Sequence, residues 1–131
     1  MSHRYKDLIL WQKAKALATA IYRLTEAFPR CELYGLTSQV RRAAVSVPSN
    51  IAEGQGRLTT GEFQHFLGMS RGSLLELETQ LAIAVDLNYL TPSEFQKVEA
   101  QSSEVRRLLN GLIDSLRRGR SAVRVETSTE T

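Results

Sequence analysis

The sequence predicts an all-α protein that folds as an antiparallel up-down-up-down four-helix bundle. Apolar residues recur at alternating steps of three and four over four separate segments, as they do along one face of a helix. Short turn-forming stretches separate these segments, which favours antiparallel neighbours. Only three prolines and eight glycines occur in 131 residues, which does not suit a sandwich of many short strands.

The first two helices are predicted over residues 7–28 and 36–54. Asp7 is a suitable N-cap for the first helix, and Pro29 ends it because proline disfavours helical geometry in the residue before it. The second helix contains Pro48, which we expect to kink it because proline lacks an amide hydrogen and crowds the preceding turn. The two apolar stripes are Leu10, Ala14, Leu17, Ile21, Leu24 and Phe28, and Leu36, Val40, Ala43, Val47 and Ile51.

Capping signals begin the third and fourth helices. Thr59 and Glu62 have capping-box spacing, in which each side chain satisfies a free amide of the first turn. Thr91 stands before Pro92, a residue that favours the first helical position. The third stripe is Phe63, Leu67, Ser70, Leu74, Leu77, Leu81 and Ala84, and the fourth is Phe95, Val98, Ser102, Val105, Leu109, Leu112 and Leu116.

The chain length suits one domain. The fourth stripe fades near residues 118–120, and the residues that follow have no helical periodicity. We therefore predict one four-helix bundle domain over residues 1–120 and a flexible C-terminal tail over residues 121–131.

Two helices carry more apolar residues than one bundle seam needs. These additional residues are Trp11, Ala18 and Tyr22 on the first helix, and Leu75, Ala82 and Ile83 on the third, where Gly68 and Gly72 lie nearly opposite the seam. We expect the additional faces to be buried by self-association, because helices with two apolar faces usually bury both. The alternative is sequence drift, or a wide stripe that its own bundle covers.

The composition argues against several classes of protein. The longest stretch without a charged residue is ten residues, from Ala43 to Ala52, which is too short for a membrane span. The lone thiol of Cys31 and the lack of a signal peptide predict a cytoplasmic protein. Glu62 and His65 form one Glu-x-x-His step, whereas di-iron bundles use two such steps and further glutamates. We therefore expect no metal, no cofactor and no enzyme activity, and disfavour a metal or small-ligand bundle enzyme.

The basic residues suggest one candidate site. The net charge of +3 is small, but Lys13, Lys15, Arg23, Arg41 and Arg42 are concentrated on the first two helices. A cluster of this kind can bind the phosphates of RNA or DNA without sequence-specific geometry. The alternative is that these side chains are solvated or paired with carboxylates inside the bundle.

Four stretches together resemble one known family. They are Tyr5–Ala14 (YKDLILWQKA), Leu36–Gly54 (LTSQVRRAAVSVPSNIAEG), Glu62–Leu81 (EFQHFL followed by SRGSLLELETQL) and Leu87–Leu90 (LNYL). The order and spacing of these stretches are similar to the four-helix bundle proteins encoded in intervening sequences of bacterial 23S rRNA genes. The resemblance covers about residues 4 to 118. Asn88 stands where the family pattern leads us to expect glycine.

The resemblance carries expectations about assembly and function. It implies a protomer that assembles as a homopentameric ring, with no established enzyme activity. A related accessory protein of diversity-generating retroelements looks like a basic pentamer that binds nucleic acid. By this analogy we expect binding of RNA or DNA through Lys13, Lys15, Arg41 and Arg42. The alternative is a structural or protein-interaction scaffold with no nucleic-acid role, because fold does not fix function.

The matching stretches also contain polar residues near expected packing surfaces. We predict a structural polar network in which Arg71 pairs with Glu53 or Glu78, and Asn50 satisfies backbone groups near Pro48. The alternative is an anion or RNA site that uses Asn50 and Arg71.

Overall fold

Four α-helices form the fold in the computed structural model, which describes the backbone of residues 5–130 and the side chains of residues 5–119 except Asp7. The helices are α1 (Ile9–Thr25), α2 (Leu36–Gln55), α3 (Thr60–Asp86) and α4 (Pro92–Glu130). Short 3-10 turns at Tyr5–Asp7 and Arg30–Glu32 precede α1 and α2. The described backbone contains no strand, so the predicted all-α class is confirmed.

Each helix packs against two others. Helix α2 contacts α1 and α3, and α4 contacts α3 and α1, so the four helices close into a bundle. The short connections make successive helices antiparallel, which confirms the predicted up-down-up-down arrangement.

The predicted stripes form most of the core, but on α4 the buried residue is Ile113, outside the predicted stripe, whereas Leu112 is only partly buried. Leu17, Ile21 and Val47 are fully buried, together with the central residues of α3 and α4. Two serines in the stripes are also buried, and both find partners. The Ser70 hydroxyl donates to the Val47 carbonyl oxygen at 2.9 Å, and the Ser102 hydroxyl donates to the Glu78 carboxylate at 2.6 Å. These bonds offset the cost of placing a hydroxyl among apolar side chains.

The helix starts follow local chemistry, except that the predicted bond from the Thr59 amide to the Glu62 side chain is not among the hydrogen bonds of the described residues and that α1 has a different cap. Thr59 Oγ1 accepts from the Glu62 amide at 3.1 Å, and Thr91 and Glu94 satisfy each other's amides at 3.1 and 2.8 Å. The predicted cap at Asp7 is wrong, because residues 5–7 form a 3-10 turn and the N-cap of α1 is Leu8.

The helix ends also differ from the predicted bounds. Helix α1 ends at Thr25 rather than Phe28, although Phe28 is still buried, in a small cluster with Ala84 and Leu90. Helix α4 continues to Glu130, beyond the point where its stripe fades. No proline or glycine follows Gly119, so no residue forces the backbone out of the helix. The predicted flexible tail over residues 121–131 lies outside the side chains that the structure describes, and it stays a prediction.

Helices α2 and α3 approach closely at Gly54. A Cβ atom built on this buried glycine would lie 2.8 Å from the Phe66 Cβ atom and 3.0 Å from the Phe63 ring. Pro48 lies inside α2, and the helix is continuous through it. The absence of a side chain at Gly54 therefore sets the distance between the two helices at this end of the bundle.

The additional apolar faces predicted on α1 and α3 differ in how much of their surface is exposed. On α1, Ala18 belongs to the core, with 8% of its surface exposed, so its assignment to an outer face is wrong. Trp11 is half-buried and packs edge-on against Tyr5, with the ring centroids 5.1 Å apart. The face of α3 remains open, because Leu75 is 50% exposed and Ile83 is 45% exposed. On α1, Tyr22 is 43% exposed beneath the Arg41 guanidinium, so the face of α3 is the more open of the two.

Candidate nucleic-acid interface

Lys13 pairs with a carboxylate of α4. Its Nζ atom lies 3.3 Å from Glu104 Oε1, and both side chains are nearly half exposed. Such a pair contributes little to stability, but it lowers the positive charge that Lys13 presents to a polyanion. Lys13 therefore lies on the side of α1 that faces α4.

Arg41 joins α2 to α1. Its Nε atom donates to Thr25 Oγ1 at 2.8 Å, and its guanidinium lies over the Tyr22 ring, 4.8 Å from the centroid. A guanidinium that stacks on an aromatic ring in this way packs through its flat face as well as its charge. Arg41 is partly buried, and these contacts give it a structural role at the α1–α2 junction.

Lys15 and Arg42 are the more accessible members of the predicted cluster. Both are exposed, and neither forms an ion pair with the residues that the structure describes. The Lys15 ammonium lies 5.6 Å from the centroid of the Trp11 ring. Of the four predicted residues, Lys13 is therefore paired with a carboxylate and Arg41 is packed on a ring. Lys15 and Arg42 are exposed and have no carboxylate partner among the described residues, and we call them open cations.

A shallow groove of about 480 Å³ runs along the outer side of α1. Lys15 and Arg23 supply two cations to it, and no carboxylate lines it. The other lining residues are Trp11, Gln12, Ala16, Thr19, Ala20 and Gln101. Trp11, Lys15, Thr19 and Arg23 follow one another at steps of four, which places them in one row along a helix. This spacing is the sequence signal for the groove.

The predicted polar network has different partners. Arg71 donates to Asn110 Oδ1 at 3.0 Å, on α4, rather than to Glu53 or Glu78. Glu53 instead pairs with Arg57, one turn further along the chain, at 3.2 Å. Arg71 and Glu78 are seven residues apart on α3, which is about 10.5 Å along the axis, so each reaches α4 separately. The predicted pairing of Arg71 is therefore wrong.

Glu78 and Asn50 each hold a neighbouring segment in place. Glu78 accepts from Arg106 Nη1 within 2.6 Å, so this pair joins α3 to α4. Asn50 Nδ2 donates to the Ser46 carbonyl and hydroxyl oxygens, both at 2.9 Å. The Ser46 hydroxyl also accepts from Ser73 of α3 at 2.9 Å. Asn50 thus bonds to the backbone carbonyl of Ser46, two residues before Pro48.

A carboxylate and a phenol connect two turns at one end of the bundle. The Tyr89 hydroxyl donates to Glu32 Oε2 at 2.8 Å, and the Leu36 amide donates to Glu32 Oε1 at 3.1 Å. The bonds from the Leu36 amide and Tyr89 hold the pKa of Glu32 below its ordinary value. The same bond to Glu32 raises the pKa of Tyr89. Glu32 therefore takes the place of an N-cap side chain for α2.

The described residues offer neither a membrane-spanning helix nor a cluster of metal ligands. None of their helices is both long and apolar enough to cross a membrane. In the same part of the chain, no group of three or more His, Cys, Asp or Glu residues gathers where it could hold a metal ion.

Comparisons with known proteins agree with this architecture. A crystal structure from Bacteroides thetaiotaomicron, a protein of unknown function from the S23 ribosomal protein family, is similar with a TM-score of 0.73. The two chains are 20% identical, and the similarity covers 80% of this chain and 98% of the other. At this identity the likeness shows the fold alone. A search of curated proteins finds no match. The profile of the 23S rRNA-intervening sequence proteins matches residues 6–111, and the chain therefore belongs to this family.

Proposed function

We propose that this protein is a non-enzymatic, self-associating helical bundle that binds RNA or DNA through phosphate contacts. The observation that carries the nucleic-acid part is the groove on α1, where Lys15 and Arg23 lie without a lining carboxylate. Exposed Arg42 on α2 adds a third open cation. We favour this set over Lys13 and Arg41, because Lys13 pairs with Glu104 and Arg41 packs on Tyr22.

The chemistry of the groove suits a flexible strand. Cations bind phosphates through charge alone, and each contact releases counterions from the nucleic acid. The amide of Gln12 and the hydroxyl of Thr19 can bond to phosphate or sugar oxygens. Trp11 is half-buried and offers part of its ring at the same groove, where a base can stack. These contacts position a backbone and do not read a sequence.

Self-association is supported by the open face of α3. Leu75 and Ile83 are about half exposed, and a Cβ atom built on Gly72 would meet nothing within 4 Å. A second copy of the chain that packs here would cover apolar side chains and approach the backbone closely at the glycine. A ring of such copies would repeat the α1 groove and multiply weak phosphate contacts.

Binding of fluorescein-labelled single-stranded RNA, followed by anisotropy from 50 to 300 mM salt, tests the nucleic-acid proposal. The variant K15A/R23A removes both groove cations and lowers the net charge from +3 to +1. The control K97A/R107A changes the charge equally at two exposed sites on α4. With two fewer phosphate contacts per site, the slope of log K against log salt should fall by about 1.4 for the groove variant.

The controls decide between the groove and general charge. The proposal expects K97A/R107A to keep most of the wild-type slope, and expects the fluorescence of Trp11, the only tryptophan, to change on binding. Equal losses in the two double variants would show that net charge alone is responsible. Absence of binding at 50 mM salt would reject a nucleic-acid role and favour the alternative, a protein-interaction scaffold.

Sedimentation over a range of concentrations tests self-association. We expect wild type to sediment as an oligomer, and Leu75→Glu to shift it towards monomer because a buried charge at the interface is costly. Leu58→Glu is the matched control, since Leu58 is 99% exposed in the α2–α3 connection. Wild type that sediments as a monomer at every concentration would contradict this part of the proposal.

A further inference from the structure

A second basic groove, of about 450 Å³, lies between α3 and α4 on another side of the bundle. Its lining includes Arg71, Arg117 and His65, and again no carboxylate. The groove shares no residue with the one on α1. Its basic side chains therefore lie outside the proposed nucleic-acid interface.

Arg71 is held in position at this groove. The side chain is partly buried, and Nη1 donates to Asn110 Oδ1 at 3.0 Å. A guanidinium has five N–H donors, so this single bond ties one of them to α4 and leaves other donors for a ligand. Arg117 approaches from α4, is exposed, and forms no ion pair with any described residue. Two cations thus face one space from two helices.

The start of α3 lines the same groove. Gly61 lies in the first turn of α3 and lines the groove, and amides of a first turn have no acceptor within the helix. Gly68 lies two turns further along and also lines it, and a Cβ atom built there would meet nothing within 4 Å. The ring of exposed His65 packs edge-on against Phe66, with centroids 5.7 Å apart, and its nitrogens can also bond to an oxyanion.

We propose that this groove, lined by Gly61, His65, Arg71 and Arg117, binds a phosphate monoester. Planar guanidinium groups match the oxygen geometry of phosphate, and helix-start amides favour an anion. The groove is open to solvent, so the organic group that carries the phosphate can extend out of it. The proposal goes beyond the function proposed above, because it assigns a small-ligand site to residues outside the α1 groove.

Amide NMR spectra of the full chain test the site, with inorganic phosphate titrated against sodium chloride of equal ionic strength. The amide signals of Gly61 and Gly68 should shift with phosphate in a saturable way and stay in place with chloride. Adenosine 5′-monophosphate should shift the same signals, and adenosine should leave them in place because the site recognises the phosphate.

A pair of adjacent arginines supplies the matched variants. Arg117→Gln removes a lining cation, and Arg118→Gln removes its exposed neighbour, which does not line the groove. We expect Arg117→Gln to weaken phosphate binding about tenfold, the factor that corresponds to 1.4 kcal/mol, and Arg118→Gln to weaken it less than twofold. Both side chains are exposed, so neither change disturbs the core.

Three results would overturn the assignment: non-saturable shifts, equal weakening in the two arginine variants, or shifts with adenosine that match those with the nucleotide. The K15A/R23A variant separates this site from the function proposed above, since it should bind phosphate as wild type does. Loss of RNA binding together with unchanged phosphate binding would support two separate grooves.

Discussion

Replacing Gly54 with alanine tests whether the closeness of α2 and α3 depends on the missing side chain. The new Cβ atom would lie 2.8 Å from the Phe66 Cβ atom, whereas ordinary contacts begin at 3.4 Å. The two helices must therefore separate locally by about 0.6 Å, and contacts around Phe66 and Phe63 weaken as they do. Overpacking of this kind costs about 1–3 kcal/mol.

A second glycine separates packing from backbone propensity. In any helix interior, alanine is favoured over glycine by about 1 kcal/mol. Gly72 also lies inside a helix, but a Cβ atom there meets nothing within 4 Å. Gly54 lies one residue before the end of α2, where the gain in propensity is at most that at Gly72, so the difference between the two unfolding free energies is the overpacking plus no more than about 1 kcal/mol.

Urea unfolding of both variants, followed by circular dichroism, supplies this difference. We expect Gly72→Ala to be more stable than Gly54→Ala by about 1–3 kcal/mol. Equal stability of the two variants, or a Gly54→Ala protein more stable than Gly72→Ala, would refute the close approach. The measurement is made at a concentration where sedimentation shows the monomer, since packing of a second copy on Gly72 would lower the stability of that variant as well.

Three further predictions concern contacts between or at the ends of helices. Thr91→Ala should lower the free energy of unfolding by about 1 kcal/mol in urea titration, because it removes the reciprocal cap of α4; no loss would mean that the cap is dispensable. Because the native pKa of Glu32 is lowered, the Glu32 carboxylate stabilises the fold above its ordinary pKa of 4.5, and this stabilisation is lost as pH falls through the native pKa. In Tyr89→Phe, the free energy of unfolding should therefore fall less between pH 6 and pH 3 than it does in wild type. The same pH dependence in both proteins would contradict this. A double-mutant cycle between Glu78→Gln and Arg106→Gln should give a coupling of about 1 kcal/mol, and strictly additive effects would show that the pair is not energetically linked.

The sequence predicted the helices and their buried faces because both depend on local periodicity. Leu17, Leu74 and Val105 were expected in stripes, and each is fully buried. The cap at Thr59 was also predictable, since the Thr59 hydroxyl oxygen and the Glu62 amide that donates to it are only three residues apart in the chain. The sequence did not predict the end of α4, because an apolar stripe indicates only where a helix packs against a neighbour, and a helix can continue beyond its stripe.

The candidate sites depended on which helix each polar side chain faces. Lys13 and Lys15 are two residues apart, and a rotation of 100° per residue places them on different sides of α1. One meets Glu104 of α4, and the other remains open beside Trp11. Sequence spacing shows that the two lysines point in different directions, but it does not show that a carboxylate of α4 lies beside Lys13.

The four-helix architecture, its core and its family membership were therefore determined by the sequence alone, through patterns repeated within each helix. Tertiary structure alone decided the partner of Arg71, the contact at Gly54 and the two grooves without carboxylates. The physical reason is that an apolar stripe consists of many residues, so a small error in the rotation of the helix still leaves most of them facing the core. A single hydrogen bond or ion pair between two helices forms or fails to form when the donor–acceptor distance changes by as little as an ångström, and the sequence does not specify that distance.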